Sequence, residues 1–343
     1  MRTTTLGNTG LVVSAVGFGG IPIQRVSDDD AVKAIHAALD CGVTFIDTAE
    51  GYSDSQRKIG KAIKGRRDGL VLATKSGQRS REGMLAAVEK ARREMGAECI
   101  DIFQFHGVSN KGAYDALKES GGALEGLLEA KEKGHVAHIG VTSHSLDLAI
   151  EMAGDDAFET MQFPFNLVTS EPKDELIPTC REKGRGFIVM KPLCGGQYRD
   201  ADLAFKYLNQ FPDIVAIPGI EKPEEIRQIA KIVDSGVTLE GDDAKRAEEI
   251  AADLGTKFCR RCGYCLPCPN GVPISTCMVW DSFVARMSRE ALATGFGRRI
   301  AEGGSKCVEC GECEPKCPYG LPIMEMVKRA TEAAKAVAAE FGG

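Results

Sequence analysis

From residue 12 to about residue 235 the chain repeats one alternation: a short apolar run, then a longer stretch with apolar residues every three or four positions. The runs are VSAVGFGG, TFIDTAE, LVLATKS, IDIFQFH, HIGVTS, TMQFPFN, FIVMKPL and IVAIPGI. The stretches between them read as helices. In REGMLAAVEKARREMG, for example, Met84, Leu85, Val88 and Ala91 fall at helical spacing. Eight strand–helix units predict an α/β fold, the (β/α)₈ TIM barrel, which typically takes ~250 residues, and here residues 1–240. A doubly wound open sheet is the alternative, but it wants G-x-G-x-x-G after its first strand, and GFGG is not that pattern. The N-terminal RTTTLGNTGLVV reads as a small hairpin with Asn8, Thr9 and Gly10 near its turn. Residues 241–256 read as a linking helix, centred on Asp242 to Leu254, and 257–343 as a smaller, mostly helical domain. There Pro322 falls in the first turn of an Ala-rich helix running to about Glu340.

Composition leaves this picture intact. The chain has 343 residues, 43% hydrophobic and 27% charged, as expected of one large and one small globular domain. A net charge of −6 gives no reason to expect nucleic acid or an anionic membrane as partner. No apolar run is long enough to span a bilayer. The uncharged stretch from Thr3 to Gln24 lacks the cleavage signature of a secretory leader, and Arg-Arg pairs occur only deep in the chain. A reducing cytoplasm is the expected compartment.

The cysteines add chemistry. Of thirteen, eight sit in two tight runs, CRRCGYCLPCPNGVPI from Cys259 and CVECGECEPKCPYGLPI from Cys307. That is metal-ligand spacing, not a disulfide framework. Three cysteines at i, i+3 and i+6 on a tight loop can point inward around one small inorganic cube, and the fourth ligand must come from elsewhere. The iron–sulfur pattern C-x₂-C-x₂-C-x₃-C-P sends its last cysteine to the neighbouring cluster. Cys307, Cys310, Cys313 and Cys317-Pro318 match it in full; Cys259, Cys262, Cys265 and Cys268-Pro269 match with one residue fewer before the last cysteine. Two [4Fe–4S] clusters are expected. Cys259, Cys262, Cys265 and Cys317 hold one, and Cys307, Cys310, Cys313 and Cys268 the other. Structural zinc also accepts four thiolates, although its sites usually present two separated pairs. The helical spacer between the runs makes this region similar to the alpha-helical, two-cluster ferredoxins. Cys277, inside that spacer, reads as a buried core thiol.

Residues 2 to about 235 resemble the aldo-keto reductases, in the bacterial branch that carries a C-terminal ferredoxin-like extension. The stretches GNTGLVVSAVGFGG, FIDTAEGY, ATKSG, FQFHGV, GVTSHS and IPGIEKPEEI carry the resemblance. It implies an oxidoreductase whose catalytic tetrad falls on Asp47, Tyr52, Lys75 and His106, at or just beyond the second, third and fourth strand ends, where barrel enzymes gather catalytic groups. These residue types suit the reaction. A carbonyl receiving hydride develops alkoxide charge and needs a proton, and a phenol near pKa ~10 is a poor acid until a cation lowers that value. Lys75 is the candidate cation, Asp47 its counter-charge, and His106 the donor that orients the carbonyl oxygen. Any one of the four has an ordinary structural reading; all four at successive strand ends do not.

The resemblance also implies a cofactor groove for NAD(P)H. Its amide-binding polar residues fall on Ser143 and Gln162, with His144 where an asparagine is common, and Met190 replaces a ring that often stacks on the nicotinamide. Lys191 is placed to meet a pyrophosphate, Gly195 and Gly196 allow close backbone approach, and Gly19, Gly20 and Leu193 complete the groove. Many relatives place basic residues after the eighth strand for a 2′-phosphate. This chain has Gly219, Ile220 and Glu225 there, which favours NADH over NADPH; Glu225 also reads as a solvated helix-face charge. Cys194 reads as inert packing.

The cysteine domain stands where relatives close the substrate pocket with a C-terminal loop, so it is expected over or beside the barrel mouth. Nicotinamide gives two electrons as hydride and each cluster passes one, which leaves room for a flavin between them. Three readings follow. The barrel is an NAD(P)-linked carbonyl reductase that the clusters connect, with a flavin between them, to a ferredoxin-like partner; or nicotinamide is absent and the clusters deliver single electrons to the substrate, with the tetrad supplying the proton; or the clusters are structural and the chain is an ordinary NAD(P)H carbonyl reductase or a binding module.

Overall fold

The eight apolar runs form one closed parallel sheet. In the structure, a computed structural model describing residues 1–257, 259–285 and 287–341, a two-stranded antiparallel hairpin comes first: β1 (Thr3–Thr5) and β2 (Val12–Ser14). Then follow β3 (Phe18–Gly19), β4 (Phe45–Asp47), β5 (Val71–Ser76), β6 (Ile100–Phe105), β7 (Val136–Thr142), β8 (Thr160–Pro164), β9 (Gly186–Met190) and β10 (Ile214–Ile217). They lie in sequence order, all parallel, and the bridges Val16 to Ala216 and Gly19 to Gly219 close the sheet on itself. The first run divides: Val13 and Ser14 end the hairpin, whereas Phe18 and Gly19 open the barrel.

Strand alternation sorts these residues into two cores. Phe45, Val71, Ala73, Ile102, Ile188, Val215 and Ile217 fill the barrel interior. Ile46, Leu72, Phe103 and Phe105 pack outward against the helices. The hairpin plugs the N-terminal end of the interior with Leu6 and Val13. Gly7 makes that fit possible, since at φ +55° a Cβ would stand 2.4 Å from Gly186 N. Continuing the alternation toward the C-terminal strand ends brings Asp47, Lys75 and Gln104 into the interior. The barrel is thus oily below and charged above.

Helices occupy the intervals the periodicity marks. In Arg81–Met95, Met84, Val88 and Ala91 are buried, as is Ala87, while Leu85 sits half-buried at the rim. Ser80 caps its start by accepting from Gly83 N at 3.2 Å, and Gly96 at φ 64° ends it.

Beyond the barrel, the helix Gly241–Gly255 lays Ile250, Ala251 and Leu254 against Leu167, Val168 and Cys194. The cysteine loops and short helices then gather around a separate core that includes Trp280, Leu292, Ile300, Ile323 and Val327. The final helix, Ile323–Glu340, begins directly after Pro322. Positions 258, 286, 342 and 343 of the expected C-terminal domain lie outside the described residues. This region rests on loops at the C-terminal strand ends. Tyr264 OH donates to Asp147 at 2.8 Å, Arg260 to Val168 O at 2.8 Å, and Ser282 Oγ to Gly195 O at 2.8 Å, and Arg25 donates to Ala285 O.

Candidate active site and cluster loops

The alternation that packs the barrel also delivers its chemistry. Lys75 donates to Asp47 Oδ1 at 2.5 Å and to Thr48 O at 2.8 Å, and both charged side chains are buried. Asp47 Oδ2 accepts from Gln104 Nε2 at 3.1 Å and Gln162 Nε2 at 2.9 Å. Burial alone pushes the Lys75 pKa down, but the charges of Asp47 and Tyr52 outweigh it and the net shift is upward. The ammonium is held charged inside the barrel. Gln104 reaches Asp47 because β7 carries Gly140 beside it: a Cβ there would lie 2.1 Å from Thr160 Oγ1 and 3.0 Å from Gln104 Cγ.

Tyr52 sits in the turn after β4, with its N–H donating to Ala49 O at 3.0 Å and its carbonyl accepting from Ser55 N at 2.9 Å. Ser55 Oγ anchors that turn to Thr48 Oγ1 and to Gly20 O, at 2.8 Å each. Lys75 Nζ stands 5.2 Å from the Tyr52 ring centroid, and the His106 ring meets Tyr52 edge-on at 5.9 Å. The four residues of the expected tetrad therefore lie together at the barrel mouth. Burial, joined by the charges of Lys75, Arg261 and Arg79, lowers the His106 pKa to about 3, so its imidazole is neutral. Arg79 Nη2 donates to His106 O at 2.8 Å.

The expected groove residues divide. Gln162 donates its Nε2 into the Asp47 cage. Ser143 Oγ closes a local turn, accepting from Ser145 N at 3.1 Å and donating to Ser145 O at 3.2 Å. His144 N donates to Ser109 Oγ at 2.9 Å. Gly19 and Gly219 are packing positions, where a Cβ would meet Pro218 O at 2.5 Å and Pro22 Cγ at 2.8 Å; at Gly20 it would meet Ser55 Oγ at 2.8 Å. Met190 packs on the barrel interior and Leu193 on the outer core. The Lys191 carbonyl accepts from Asn166 Nδ2 at 2.9 Å. Gly195, expected to allow close backbone approach, accepts from Ser282 Oγ at its carbonyl, at 2.8 Å. Glu225 Oε2 caps its own helix, accepting from the N–H of Glu221 at 2.9 Å and Lys222 at 3.0 Å, so the argument for NADH over NADPH loses its residue. As arranged, Gln162 Nε2 and the Ser143 hydroxyl are engaged by protein partners, Asp47 and the Ser145 backbone. Cys194 is buried, its thiol pushed up to about 12 by burial, and Cys277 likewise.

The two cysteine runs fold as structural repeats. Arg261 and Glu309, two residues after the first cysteine of each run, take left-handed φ of 63° and 54°, and Gly263 and Gly311 follow at 87° and 80°. Each Cys-Pro turn closes alike, Gly271 N donating to Cys268 O at 3.0 Å and Gly320 N to Cys317 O at 3.2 Å. Successive left-handed turns of this kind form concavities that receive anions and iron–sulfur groups. Cys259, Cys262, Cys265 and Cys317 line one cavity of about 350 Å³. Cys268, Cys307, Cys310 and Cys313 line another of about 420 Å³, and Cys265 borders both. Among the described residues no three or more Cys, His, Asp or Glu side chains converge on a single ion position, so the thiols surround volumes rather than points. Burial pushes the thiols of Cys259, Cys262 and Cys313 up and that of Cys265 to about 12. Soft ligands that ionise readily only on a metal fit iron–sulfur groups.

Sequence reasoning missed Gln104 and Arg79. Alternation through IDIFQFH contains the signal for Gln104, a polar residue in phase with Ile102.

Comparison with known proteins agrees with this geometry. The Aldo/keto reductase family model matches residues 15–203, and the 4Fe-4S dicluster domain model matches 258–322. The curated aldo-keto reductase YhdN of Bacillus subtilis is 27% identical over 215 residues, 57% of this chain; the match spans about 63% of that relative's length. Among solved structures, the aldo-keto reductase AKR11C1 of Bacillus halodurans in its holo form is 21% identical, with a TM-score of 0.63 over 73% of this chain and 96% of its own. An aldo/keto reductase from Klebsiella pneumoniae, solved with NADP and acetate, is 22% identical with a TM-score of 0.60 over 73% and 96%. A family match across more than half the chain, on a closed parallel barrel of this order, makes the chain a member of the aldo/keto reductase family: an oxidoreductase with a 4Fe-4S dicluster domain behind its barrel.

Proposed function

We propose that the barrel interconverts a small carbonyl compound and its alcohol at Tyr52, Lys75, Asp47 and His106, and that the dicluster domain conducts the electrons. The observation that carries this is the buried Lys75 ammonium lying between Asp47 and the Tyr52 ring. Reduction of a carbonyl to its alcohol takes two electrons and two protons. One hydrogen ends on carbon, as a proton from solvent where the clusters supply both electrons singly, or as hydride where a nicotinamide supplies them. The other ends on the oxygen, where negative charge builds. Tyr52 donates that proton, and Lys75 stabilises the phenolate left behind. Asp47 keeps Lys75 charged, and Gln104 and Gln162 hold Asp47 in place. His106, being neutral, donates a hydrogen bond to the carbonyl oxygen and orients it. In the oxidative direction the same groups accept the proton.

Cys259, Cys262, Cys265 and Cys317 are the proposed ligands of one [4Fe–4S] cluster, and Cys307, Cys310, Cys313 and Cys268 of the other; the lining of the two cavities supports this grouping. Such clusters, when bound, pass electrons one at a time. Exposed Cys310 and Val308 mark where a ferredoxin-like partner exchanges them. Among the described residues no helix is long and apolar enough to cross a membrane, and labile clusters of this kind suit a reducing cytoplasm. A nicotinamide dinucleotide as hydride source is the second reading. It rests on family membership and on the Klebsiella relatives, solved with NADP and with NADPH. No described residue speaks for a flavin.

The test uses anaerobically purified protein with its iron measured. Aldehyde or ketone reduction is followed with NADPH, with NADH and with a reduced viologen as alternative donors. Tyr52→Phe should abolish turnover with every donor while iron content stays unchanged. Full turnover in that variant sinks the reading.

A further inference from the structure

Two of the contacts that seat the C-terminal domain on the barrel come from one short helix, Trp280–Val284, and its end. Its two faces meet different partners. Trp280 and Phe283, three positions apart and so on one face, turn into the domain's own core, where Trp280 is buried and the rings of Phe283 and Phe296 lie 4.1 Å apart. Asp281 pairs with Arg329 of the final helix at 2.9 Å. Ser282, about 200° around the helix from Trp280, meets the barrel instead. Its Oγ is buried and donates to Gly195 O at 2.8 Å, in the loop after β9. At the helix end the Ala285 carbonyl accepts from Arg25, in the loop after β3. Arg25 Nε in turn meets Glu221 Oε2 at 2.5 Å, in the loop after β10.

These three strands are neighbours around the barrel, since β10 pairs with β9 and closes on β3 through the bridge between Gly219 and Gly19. The helix therefore spans from the loop after the seventh barrel strand to the loops after the eighth and the first. In TIM barrels the loops after the seventh and eighth strands frequently form the phosphate-binding site. Here Gly195 is buried, whereas Gly196 and Gly219 on the same two loops are exposed. The N–H groups of Glu221 and Lys222 are taken by Glu225 Oε2. A ligand that lays phosphates along these loops meets a bridge fastened on both sides.

The fastening is uneven. On the far side of the seat, at the loops after β7 and β8, Tyr264 holds Asp147, and buried Arg260 donates to Val168 O while stacking on the Tyr319 ring at 3.7 Å. On the helix side two hydrogen bonds carry the contact, one of them from a partly exposed arginine. Each such bond contributes little net stability. We infer that the helix Trp280–Val284 is a gate on the barrel: a nicotinamide dinucleotide settles on the loops after β9 and β10 only while Ser282 is released from Gly195 and Ala285 from Arg25. The domain tilts about its firmer side, at Arg260 and Tyr264, and the region that holds the cysteine runs thereby regulates access to the barrel. This rests on the nicotinamide reading above and adds how that donor gains entry.

The test is the rate of dinucleotide binding to anaerobic holoenzyme, with NADPH and NADH mixed in by stopped flow and followed by nicotinamide fluorescence. In wild type the observed rate should level off as dinucleotide rises, because opening limits it. Ser282→Ala should raise that plateau by ~3- to 10-fold, and Ser282→Ala with Arg25→Gln by ~10-fold or more. Asp147→Ala, on the opposite side of the seat, should stay within about threefold of wild type. Deuterium uptake at residues 280–285 should rise when NADPH binds, a readout free of turnover. If Arg25→Gln loads little iron, Ser282→Ala alone carries the comparison. Binding at one rate in wild type and in the gate variants overturns the inference, as does equal acceleration in Asp147→Ala. Failure of wild type and every variant to bind either dinucleotide overturns it together with the nicotinamide reading. Turnover surviving in Tyr52→Phe is a separate failure, that of the carbonyl–alcohol reading.

Discussion

Lys75 meets Asp47 at 2.5 Å in the barrel interior, with side chains 2% and 3% exposed. Removing one partner leaves the other charge buried and uncompensated. Lys75→Met is expected to lower stability by about 3–5 kcal/mol and to eliminate activity. Lys75→Met combined with Asp47→Leu should recover most of that stability and none of the activity. Urea unfolding of the anaerobic variants, read beside carbonyl reduction, separates the two effects. Equal stability of single and double variants would show that the pair is not coupled.

Gly140 is a second point where packing sets the chemistry. Its missing Cβ leaves the room that Thr160 Oγ1 and Gln104 Cγ occupy. Gly140→Ala should destabilise by about 1–3 kcal/mol through overpacking. It should also push Gln104 away from Asp47 and so lower kcat more than it changes KM. Gly154→Ala is the control. At that site the nearest atom to an added Cβ is Glu151 O at 3.3 Å, and activity should be retained.

The barrel was legible because buried parallel strands read as apolar runs, and each of the eight runs contains a strand. The two-core sorting was legible by alternation, from Val71, Ala73 and Lys75 in one phase and Leu72 in the other. The tetrad followed from residues that stand at strand ends in a resembling family. Glu225 shows where that route stops. A carboxylate in a KPEEIRQ segment caps its helix through backbone N–H groups, and a motif cannot reveal which donors face it. Gln162 has the expected type and position and donates Nε2 to Asp47, because a buried carboxylate facing one lysine still has acceptor capacity to fill.

His106 gives a pH prediction with a definite sign. Its pKa falls from an ordinary 6.5 to about 3 through burial and neighbouring cations, so the unfolded chain binds the extra proton first. The contribution to stability is complete above 6.5 and is lost as pH falls toward 3, by up to about 1.4 kcal/mol per pH unit. His106→Asn should flatten the stability profile over that window relative to wild type, measured as the difference between paired urea melts at pH 7 and pH 5. In kcat/KM, no acid limb from His106 is expected between about pH 5 and 8, because a neutral imidazole is already present throughout. A limb near 6.5 that vanishes in His106→Asn contradicts the neutral assignment.

The proposed exchange of fourth ligands between the cysteine runs makes a prediction that pairwise substitution can read. Cys317 lines the cavity of Cys259, Cys262 and Cys265, although it lies in the other run, and Cys268 lines the cavity of Cys307, Cys310 and Cys313. Cys259→Ala with Cys317→Ala removes two ligands from one cluster, so iron should drop by about half, no further than in either single variant. Cys259→Ala with Cys268→Ala touches both clusters, and iron should fall toward zero. If each run instead held its own cluster with all four of its cysteines, the two outcomes would be reversed: the first pair would empty both sites and the second only one. Iron and acid-labile sulfide per chain, measured on anaerobic protein, decide between these arrangements without reference to activity, and paramagnetic resonance of the reduced variants shows whether the surviving cluster is the same in Cys259→Ala and Cys317→Ala.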